Sequence, residues 1–296
     1  MTEFLQQLIN GLSVGAMYAL IAIGYTLVYG VLRFINFAHS EVFMVGAFAG
    51  YYVGHQFTQA SWMAGLTVML FAMVACAALG ILIEKLAYKP LRQRSKLTVL
   101  ITAIGVSMLL QNVGQLVFGA NPKSFPETFP TANFQLEGLS ISSKDLVVIG
   151  VTIMLIAALE FIVMRTRMGT AMRAVAFNPQ AAALMGININ VIISFTFGLG
   201  SALAAAGGIL WAYKFPKITP LLGVMPGLTA FVAAVLGGIG NITGAALGGL
   251  LLGVIETYMK GSRWSTWTEA VAFVLLILIL MFRPAGLLGK MQTEKV

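Results

Sequence analysis

The sequence predicts an all-α, polytopic integral membrane protein of about eight or nine transmembrane helices, organised as one transmembrane domain over residues 1–296. Three observations carry this. The chain of 296 residues has only 18 Lys and Arg and 10 Asp and Glu, 9% charged, against roughly 25% in an ordinary soluble domain. Hydrophobic residues make up 59% of it, and 32 residues are Gly. Third, residues 4–32, 42–83, 97–122, 174–213 and 218–255 contain no Asp, Glu, Lys or Arg at all. At about 1.5 Å of rise per residue, some 20 helical residues cross a hydrocarbon core of about 30 Å. A chain of this size has too little surface to hide so much apolar area in water.

The spans follow in order. Residues 4–32 form the first. The stretch 42–83 would be about 63 Å long as one helix, so it must break, and Gly54 to Trp62 is the polar place to do so. Further spans read as 98–119, 145–164 and 188–213. Residues 218–255 would again be about 57 Å long, with Gly237-Gly238-Ile239-Gly240-Asn241 offering the turn. A last span covers about 267–282 and ends at Arg283-Pro284. The count is nine, or eight if a glycine-rich segment is re-entrant.

Cytoplasmic loops are enriched in Lys and Arg. Residues 85–96 hold Lys85, Lys89, Arg92, Arg94 and Lys96, and residues 165–173 hold Arg165, Arg167 and Arg173, neither with an acid. The tail adds Arg283, Lys290 and Lys295 against Glu294. The longest loop, 120–144, balances Lys123 and Lys144 against Glu127 and Glu137. The basic loops and the C-terminus are therefore expected inside and, with nine spans, the N-terminus outside. Met1 to Leu8 lacks a basic n-region, so the first span is expected to stay in the mature protein.

Several function classes drop out. The cations sit in short loops between apolar spans, which is not a nucleic-acid footprint. Cys76 stands alone, and His39 and His55 are not spaced as ligands on one helix, so no metal site is expected. Gly11-Leu12-Ser13-Val14-Gly15 matches a nucleophile elbow in form, but that motif needs a preceding strand; here it opens a membrane helix and reads as a packing pair, and no catalytic residue is expected. There is no P-loop, since Gly289-Lys290 is followed by Met291. Glu84, Asp145, Glu160 and Glu269 fall at span ends, and Glu256 precedes Lys260 by one turn as an i,i+4 pair. A chain this poor in intramembrane acids does not look like a proton or sodium symporter. Small residues replace the hydrophobic drive between helices in lipid, so Gly240, Gly244 and Gly248, with Gly249 and Gly253 alongside, and Gly46 with Gly50, read as close helix contacts. A smooth face lining a passage or a second subunit is the sharper alternative.

Two stretches are informative. Arg33-Phe34-Ile35-Asn36-Phe37-Ala38-His39-Ser40-Glu41 is too apolar for a loop and too polar for lipid. Either it is an interfacial turn, with Asn36 or Ser40 as N-cap and Glu41 in the first turn, or Asn36, His39 and Glu41 line the polar part of a conduit. Residues 165–190 pass from a basic cluster to Asn178-Pro179, an N-cap followed by Pro at N1. One short helix, Gln180 to Met185, then stops at Gly186. Such a helix suits docking into a groove on a soluble partner and passing that partner's movement to the spans; an ordinary surface helix is the plain alternative.

Gln180-Ala181-Ala182, followed after three residues by Gly186, resembles the EAA…G coupling loop of ABC-importer permeases, with Gln in place of Glu and without the downstream I-x-L-P of the maltose type. RAVAFNPQAAALMGIN with SFTFGLGSALAAAGGIL, YALIAIGYTLVYGVLRFINFAHSEVFMVGAF, and FVAAVLGGIGNITGAALGGLLLGVIE resemble LivH-type permeases of high-affinity branched-chain amino acid importers over nearly the whole chain. The resemblance implies a bacterial plasma (inner) membrane protein pairing with a LivM-like second permease. It also implies two cytoplasmic ATPases, which would hold the ATP and Mg, and an extracytoplasmic amino-acid-binding protein. No cofactor is expected on this chain. Arg173, Asn178, Gln180, Ala182, Leu184 and Gly186 are the expected ATPase contacts. A related substrate such as another amino acid, a short amide or urea, or an autonomous channel or secondary transporter, are the alternative readings.

Overall fold

The computed structural model describes residues 2–92, 94–136 and 139–289; Glu137 and the tail charges Lys290, Glu294 and Lys295 lie outside the described residues. Among these, the order is α1 (Thr2–Leu32), α2 (His39–Gly54), α3 (Trp62–Ile83), α4 (Lys96–Phe118), α5 (Ser143–Arg165), α6 (Arg167–Phe177), α7 (Pro179–Leu184), α8 (Ile189–Lys214), α9 (Val224–Gly237), α10 (Ile242–Lys260) and α11 (Thr268–Phe282). A π-helical turn, Glu84–Tyr88, and a short 3-10 turn, Lys89–Leu91, extend α3. Four short strands, β1 (Lys123–Ser124), β2 (Asn133–Leu136), β3 (Leu139–Ser142) and β4 (Lys217–Ile218), form two antiparallel ribbons, β1 with β4 and β2 with β3. These strands occupy loops that the sequence left without structure.

Helix α1 is the axis of the molecule and is almost wholly buried. It packs most extensively on α10, then α8 and α9. Glycine makes this approach possible. A Cβ at Gly15 would lie 2.7 Å from Leu250 Cα, and one at Gly11 2.8 Å from Val254 Cα. The Gly11–Gly15 pair is thus a packing surface. On α10, Gly249 and Gly253 face Ala19 and Gly15 of α1, while Gly244 and Gly248 face Gly237 and Ala233 of α9. The two lines of glycine serve two neighbours. Gly240 belongs to neither: it sits in the α9–α10 turn at φ 96°, with open space where a Cβ would be. The four-residue spacing therefore extends one residue too far to be a single helix face.

Helices α4, α5 and α11 lie at the periphery and turn apolar side chains outward; Leu116 is 85% exposed and Phe282 80%. In water such a surface would aggregate, and in lipid it is the expected exterior.

Among the described residues seven helical spans (α1, α3, α4, α5, α8, α10, and α11 taken with the 3-10 turn Ser265–Trp267 that leads into it) are long and apolar enough to cross a membrane. Helices α2, with 16 residues, and α9, with 14, are shorter. Both begin deep in the bundle. His39, the first residue of α2, lies against Gly24 of α1 and near Gly200 of α8. Those positions are about 12 Å and 17 Å in from the ends at Leu32 and Ile189. The N-cap of α9, Gly223, packs on the Ser40 carbonyl at the same depth. In each of these passes helix covers only part of the depth, and non-helical backbone, residues 33–38 or 219–223, covers the remainder. Among the described residues nine crossings result, seven wholly helical and two partly so.

Contacts define two ends. At one, Tyr88 Oη donates to Asn36 Oδ1 (2.6 Å), Arg92 Nη1 donates to Asn190 Oδ1 (2.7 Å), and the Gly238 turn meets Gly286 beyond α11. Arg33, the 85–94 cations, α6 and Arg283 gather there. At the other, the Phe125 amide donates to the Pro216 carbonyl (2.7 Å), Ser140 N to Gln6 Oε1 (3.0 Å), and the Lys214 ammonium pairs with Asp145 while donating to Ser13 Oγ (2.9 Å).

Replacing Gly249 by Ala should lower the thermal unfolding midpoint in detergent, because forced overpacking costs about 1–3 kcal/mol. Gly150→Ala, where no atom lies within 4 Å of the added Cβ, should hold or raise it, since Ala in a helix is favoured over Gly by about 1 kcal/mol. Equal midpoints would contradict the packing described.

Candidate coupling surface and buried polar cluster

The 165–190 segment folds as two helices rather than one. Thr166 accepts from Gly169 N through Oγ1 (3.1 Å) and starts α6, which carries the basic cluster on its own turns. Asn178 ends α6 and starts α7: its Oδ1 accepts from Ala181 N (3.0 Å), and Pro179 fills N1 where no amide is needed. The far end is closed by Gly186 at φ 81°. Its amide donates to the Ala183 carbonyl (3.0 Å), and Ile187 N donates to Ala182 O (3.1 Å). This pair of bonds is the Schellman stop, which a residue with a Cβ adopts only with strain. A six-residue helix is far below the length that stands alone in water, so the caps at both ends fix its shape.

The six expected contact residues divide three ways. Asn178, Gln180, Leu184 and Gly186 are exposed, Leu184 at 90%. Ala182 is turned inward and buried. Arg173 is exposed along its length, but its guanidinium donates to the Val163 carbonyl at the end of α5 and to Thr170 Oγ1. That arginine fastens α6 to α5. Phe177, at 87% exposed, and Met185, at 82%, join Leu184 in a projecting apolar patch. Neither was singled out in the sequence, although two large apolar residues in a loop flanked by cations were the available signal.

At the same end lies a basic groove of about 640 Å³ lined by Lys89, Pro90, Arg92, Arg94 and Asn190. Its anchor is Glu84, wholly buried, which pairs with Arg92 and accepts from Ser194 Oγ (2.6 Å). Removing one member of a buried pair leaves a charge without compensation, at about 3–5 kcal/mol. The pair therefore ties the end of α3 to α8.

Asn36, His39 and Glu41 are 4%, 1% and 1% exposed. Asn36 Oδ1 accepts from Ala38 N (3.2 Å) as well as from Tyr88. It folds its own loop instead of capping α2, whose N-cap is Ala38 with no side-chain bond. Ser40 Oγ turns to the Phe37 carbonyl (3.0 Å). Glu41 Oε1 accepts from Gln111 Nε2 (2.8 Å), Ser107 Oγ (3.2 Å) and Ser40 Oγ (3.3 Å). Its Oε2 has no partner among the described residues and faces Gly223; His39 Nε2, packed on Gly24 beside the Tyr25 ring, also has none. Gln111 and Ser107 of α4 complete the site but carry no mark in the sequence, lying four residues apart in an apolar span. Glu41 sits in the first turn of α2 with its Oε2 beside Gly223 at the start of α9, so two helix N-termini lie near the carboxylate and offset part of the cost of burying it. The three are not brought into contact with one another: His39 turns to α1 and α8, Glu41 to α4 and the start of α9, and Asn36 to Tyr88. Among the described residues no three His, Cys, Asp or Glu are grouped as a metal site.

Nine crossings, two broken within the bilayer around buried polar groups, and a protruding capped helix at the basic end define a multi-pass membrane protein of the permease kind. Comparison with known proteins makes this specific. Residues 7–280 match the family model described as branched-chain amino acid transport system / permease component, and the chain belongs to that family. It is 42% identical to the high-affinity branched-chain amino acid transport system permease protein BraD of Pseudomonas aeruginosa, covering 99% of this chain and 98% of that one. It is 40% identical to the corresponding protein LivH of Escherichia coli K12, with the same coverage, and 28% identical to a probable LivH of Methanocaldococcus jannaschii, covering 92% and 89%.

Asn178→Ala should speed hydrogen exchange at the amides of residues 181–183 by several-fold, since loss of such a cap costs about 1 kcal/mol. Exchange in α8 should stay as it was. Unchanged protection in α7 would show that the cap does not hold it.

Proposed function

We propose that this chain is the membrane-spanning subunit through which branched-chain amino acids cross the bilayer in an ABC importer powered by separate ATPases. Its membership of the permease family carries the reading, and the projecting α7 supplies the part such a subunit needs. The partners in this reading are a LivM-like second permease, two ATPases that hold ATP and Mg, and an extracytoplasmic binding protein. The end bearing α6, α7 and the basic groove faces the cytoplasm, in keeping with the positive-inside bias. The C-terminus then lies inside and the N-terminus outside, and the chain is one permease domain with no ATPase of its own.

Phe177, Leu184 and Met185 fit an apolar groove on an ATPase, with Asn178, Gln180 and Gly186 shaping the docking helix and the nearby arginines meeting acidic side chains. Ala182 and Arg173 act inside the chain. Through them a push on α7 reaches α6 and the end of α5, and through Ile189 it reaches α8, which packs on α1, α2 and α3. Asn36, His39 and Glu41 lie where those helices meet, and in this reading they line the passage when the helices part. The support for His39 and Glu41 is that His39 Nε2 and Glu41 Oε2 lack a partner among the described residues, at a depth where an unpaired group is costly; Asn36 is included for its place beside them in the broken segment.

Reconstituted with its partners and its binding protein, the wild-type complex should take up leucine with ATP inside the vesicle, stop with vanadate, and persist with a proton uncoupler. Leu184→Glu and Gly186→Glu should each leave the protein in the membrane and cut uptake at least tenfold. Uncoupler-sensitive uptake at constant ATP, or undiminished transport by both variants, would refute the reading.

A further inference from the structure

The basic groove of about 640 Å³ opens where three spans end together. Lys89 belongs to the 3-10 turn that closes α3, Arg94 stands just before α4, and Asn190 lies in the first turn of α8. The span Trp62–Leu91 has 30 residues, and at about 1.5 Å per residue it reaches about 45 Å, the thickness of a bilayer with its headgroups. The groove therefore sits level with the headgroups.

Its charge is not compensated from within. Residues 85–96 contain no acid. Glu84, behind the groove, is spent on Arg92 and Ser194. Arg92 also donates from Nη1 to Asn190 Oδ1 (2.7 Å), so it forms a fixed wall. Lys89 and Arg94 are exposed and have no ion-pair partner among the described residues. With Oδ1 of Asn190 occupied, its amide nitrogen is what remains to donate into the groove. Like charges around one recess repel each other and focus a positive field into it, and an entering anion relieves both. On the bilayer side the groove has apolar flanks: Leu86, one turn before Lys89, is 70% exposed, and Leu97, in the first turn of α4, is 64% exposed.

We propose that this groove binds one anionic phospholipid. Its phosphate takes the Lys89 ammonium, the Arg94 guanidinium, which can hold two phosphate oxygens at once, and the Asn190 amide. Its acyl chains run down past Leu86 and Leu97 into the hydrocarbon. The other anion that could reach this end is an acidic protein surface, and depth argues against it. A soluble partner meets what projects from the membrane, as α7 does with Leu184 at 90% exposed, whereas the groove lies level with the lipid phosphates. A lipid seated here joins the end of α3 and the start of α4 to the start of α8, which the groove otherwise links through the Arg92 bond to Asn190.

The test uses the full chain in dodecyl maltoside and counts retained lipid by native mass spectrometry, with dioleoyl phosphatidylglycerol and dioleoyl phosphatidylcholine as probes. Wild type should hold one phosphatidylglycerol about tenfold more tightly than phosphatidylcholine, as two cations near an anionic lipid allow. Lys89→Gln with Arg94→Gln should abolish that preference, with melting as in wild type, while the charge-keeping pair Lys89→Arg with Arg94→Lys retains it. Lys217→Gln with Arg263→Gln, exposed cations at the opposite end, should leave it unchanged. A wild type without the preference overturns the site, as does a double glutamine variant that keeps it, or an equal loss from the opposite-end pair. Millimolar inorganic phosphate, against chloride of equal ionic strength, should displace none of the lipid; displacement assigns the groove to free phosphate and overturns the proposal. A double glutamine variant that keeps the lipid but loses the ATPases from the assembled complex assigns the groove to an acidic protein surface, and overturns it too. The wild-type comparison and the charge-keeping pair decide between these outcomes even where the glutamine variant is unstable.

Discussion

The fold depends on how closely α1 can approach its neighbours. Lipid offers helices no hydrophobic reason to associate, so van der Waals contact between backbones must do the holding, and that contact falls off within an ångström. Gly11 and Gly15 on α1, with Gly249 and Gly253 on α10, remove the side chains that would keep the two axes apart. The same device recurs where Gly46 of α2 meets Ala205 of α8 and where Gly244 and Gly248 meet α9. A central helix packed this way leaves α4, α5 and α11 to form the outer surface, and their side chains need only be apolar. The ion pairs then act at the rims: Asp145 with Lys214 on one side, Glu84 with Arg92 on the other.

The tight centre explains why two crossings can break. A backbone amide at bilayer depth must find a partner in protein. In residues 33–38, Asn36, Ser40 and Tyr88 satisfy loop groups, and in 219–223 the Leu222 amide donates to the Thr219 carbonyl. Breaking a helix there has a chemical consequence, because it exposes N-terminal amides inside the membrane. Helices α2 and α9 both begin beside Glu41, and their partial positive charge offsets part of the cost of burying that carboxylate. Broken helices with converging termini are a way for a membrane protein to make a polar place without introducing many charges, which suits a chain with so few.

Much of this was legible in the sequence. Charge-free runs longer than a bilayer located the turns between α2 and α3, at Gly54–Trp62, and between α9 and α10, at Gly237–Asn241, because length against hydrocarbon thickness is a strong constraint. The capped helix at Asn178-Pro179 and its stop at Gly186 were legible for a similar reason: Asn, Pro and Gly each have a steric role at that position. What was not legible depends on depth and direction. Nothing in the order of residues 33–41 says that His39 begins a helix far inside the bundle, since that follows from where α8 and α9 pack. The inward turn of Ala182, the attachment of Arg173 to α5 and the pairing of Glu41 with Gln111 likewise join residues through tertiary geometry. Gly240 misled for the opposite reason, since its spacing was right and its backbone conformation was not.

Placed together, these features link the two ends of the molecule. Helix α8 starts a few residues after α7, runs against α1, α2 and α3, and ends at Lys214, which bonds to both Asp145 of α5 and Ser13 of α1. Helix α5 starts at that same ion pair and ends where Arg173 grips it. Both routes from α7 therefore converge on one buried charge pair at the far rim. Between them lie the start of α2 and the start of α9, the two places where the backbone is not helical and has hinges to offer. A rigid displacement of α5 and α8 is more easily taken up at those breaks than along α1, whose glycine contacts allow little sliding without a clash. The non-helical breaks thus coincide with the polar interior around Asn36, His39 and Glu41, and in a protein that must open a path through hydrocarbon that coincidence is what the sequence had to arrange.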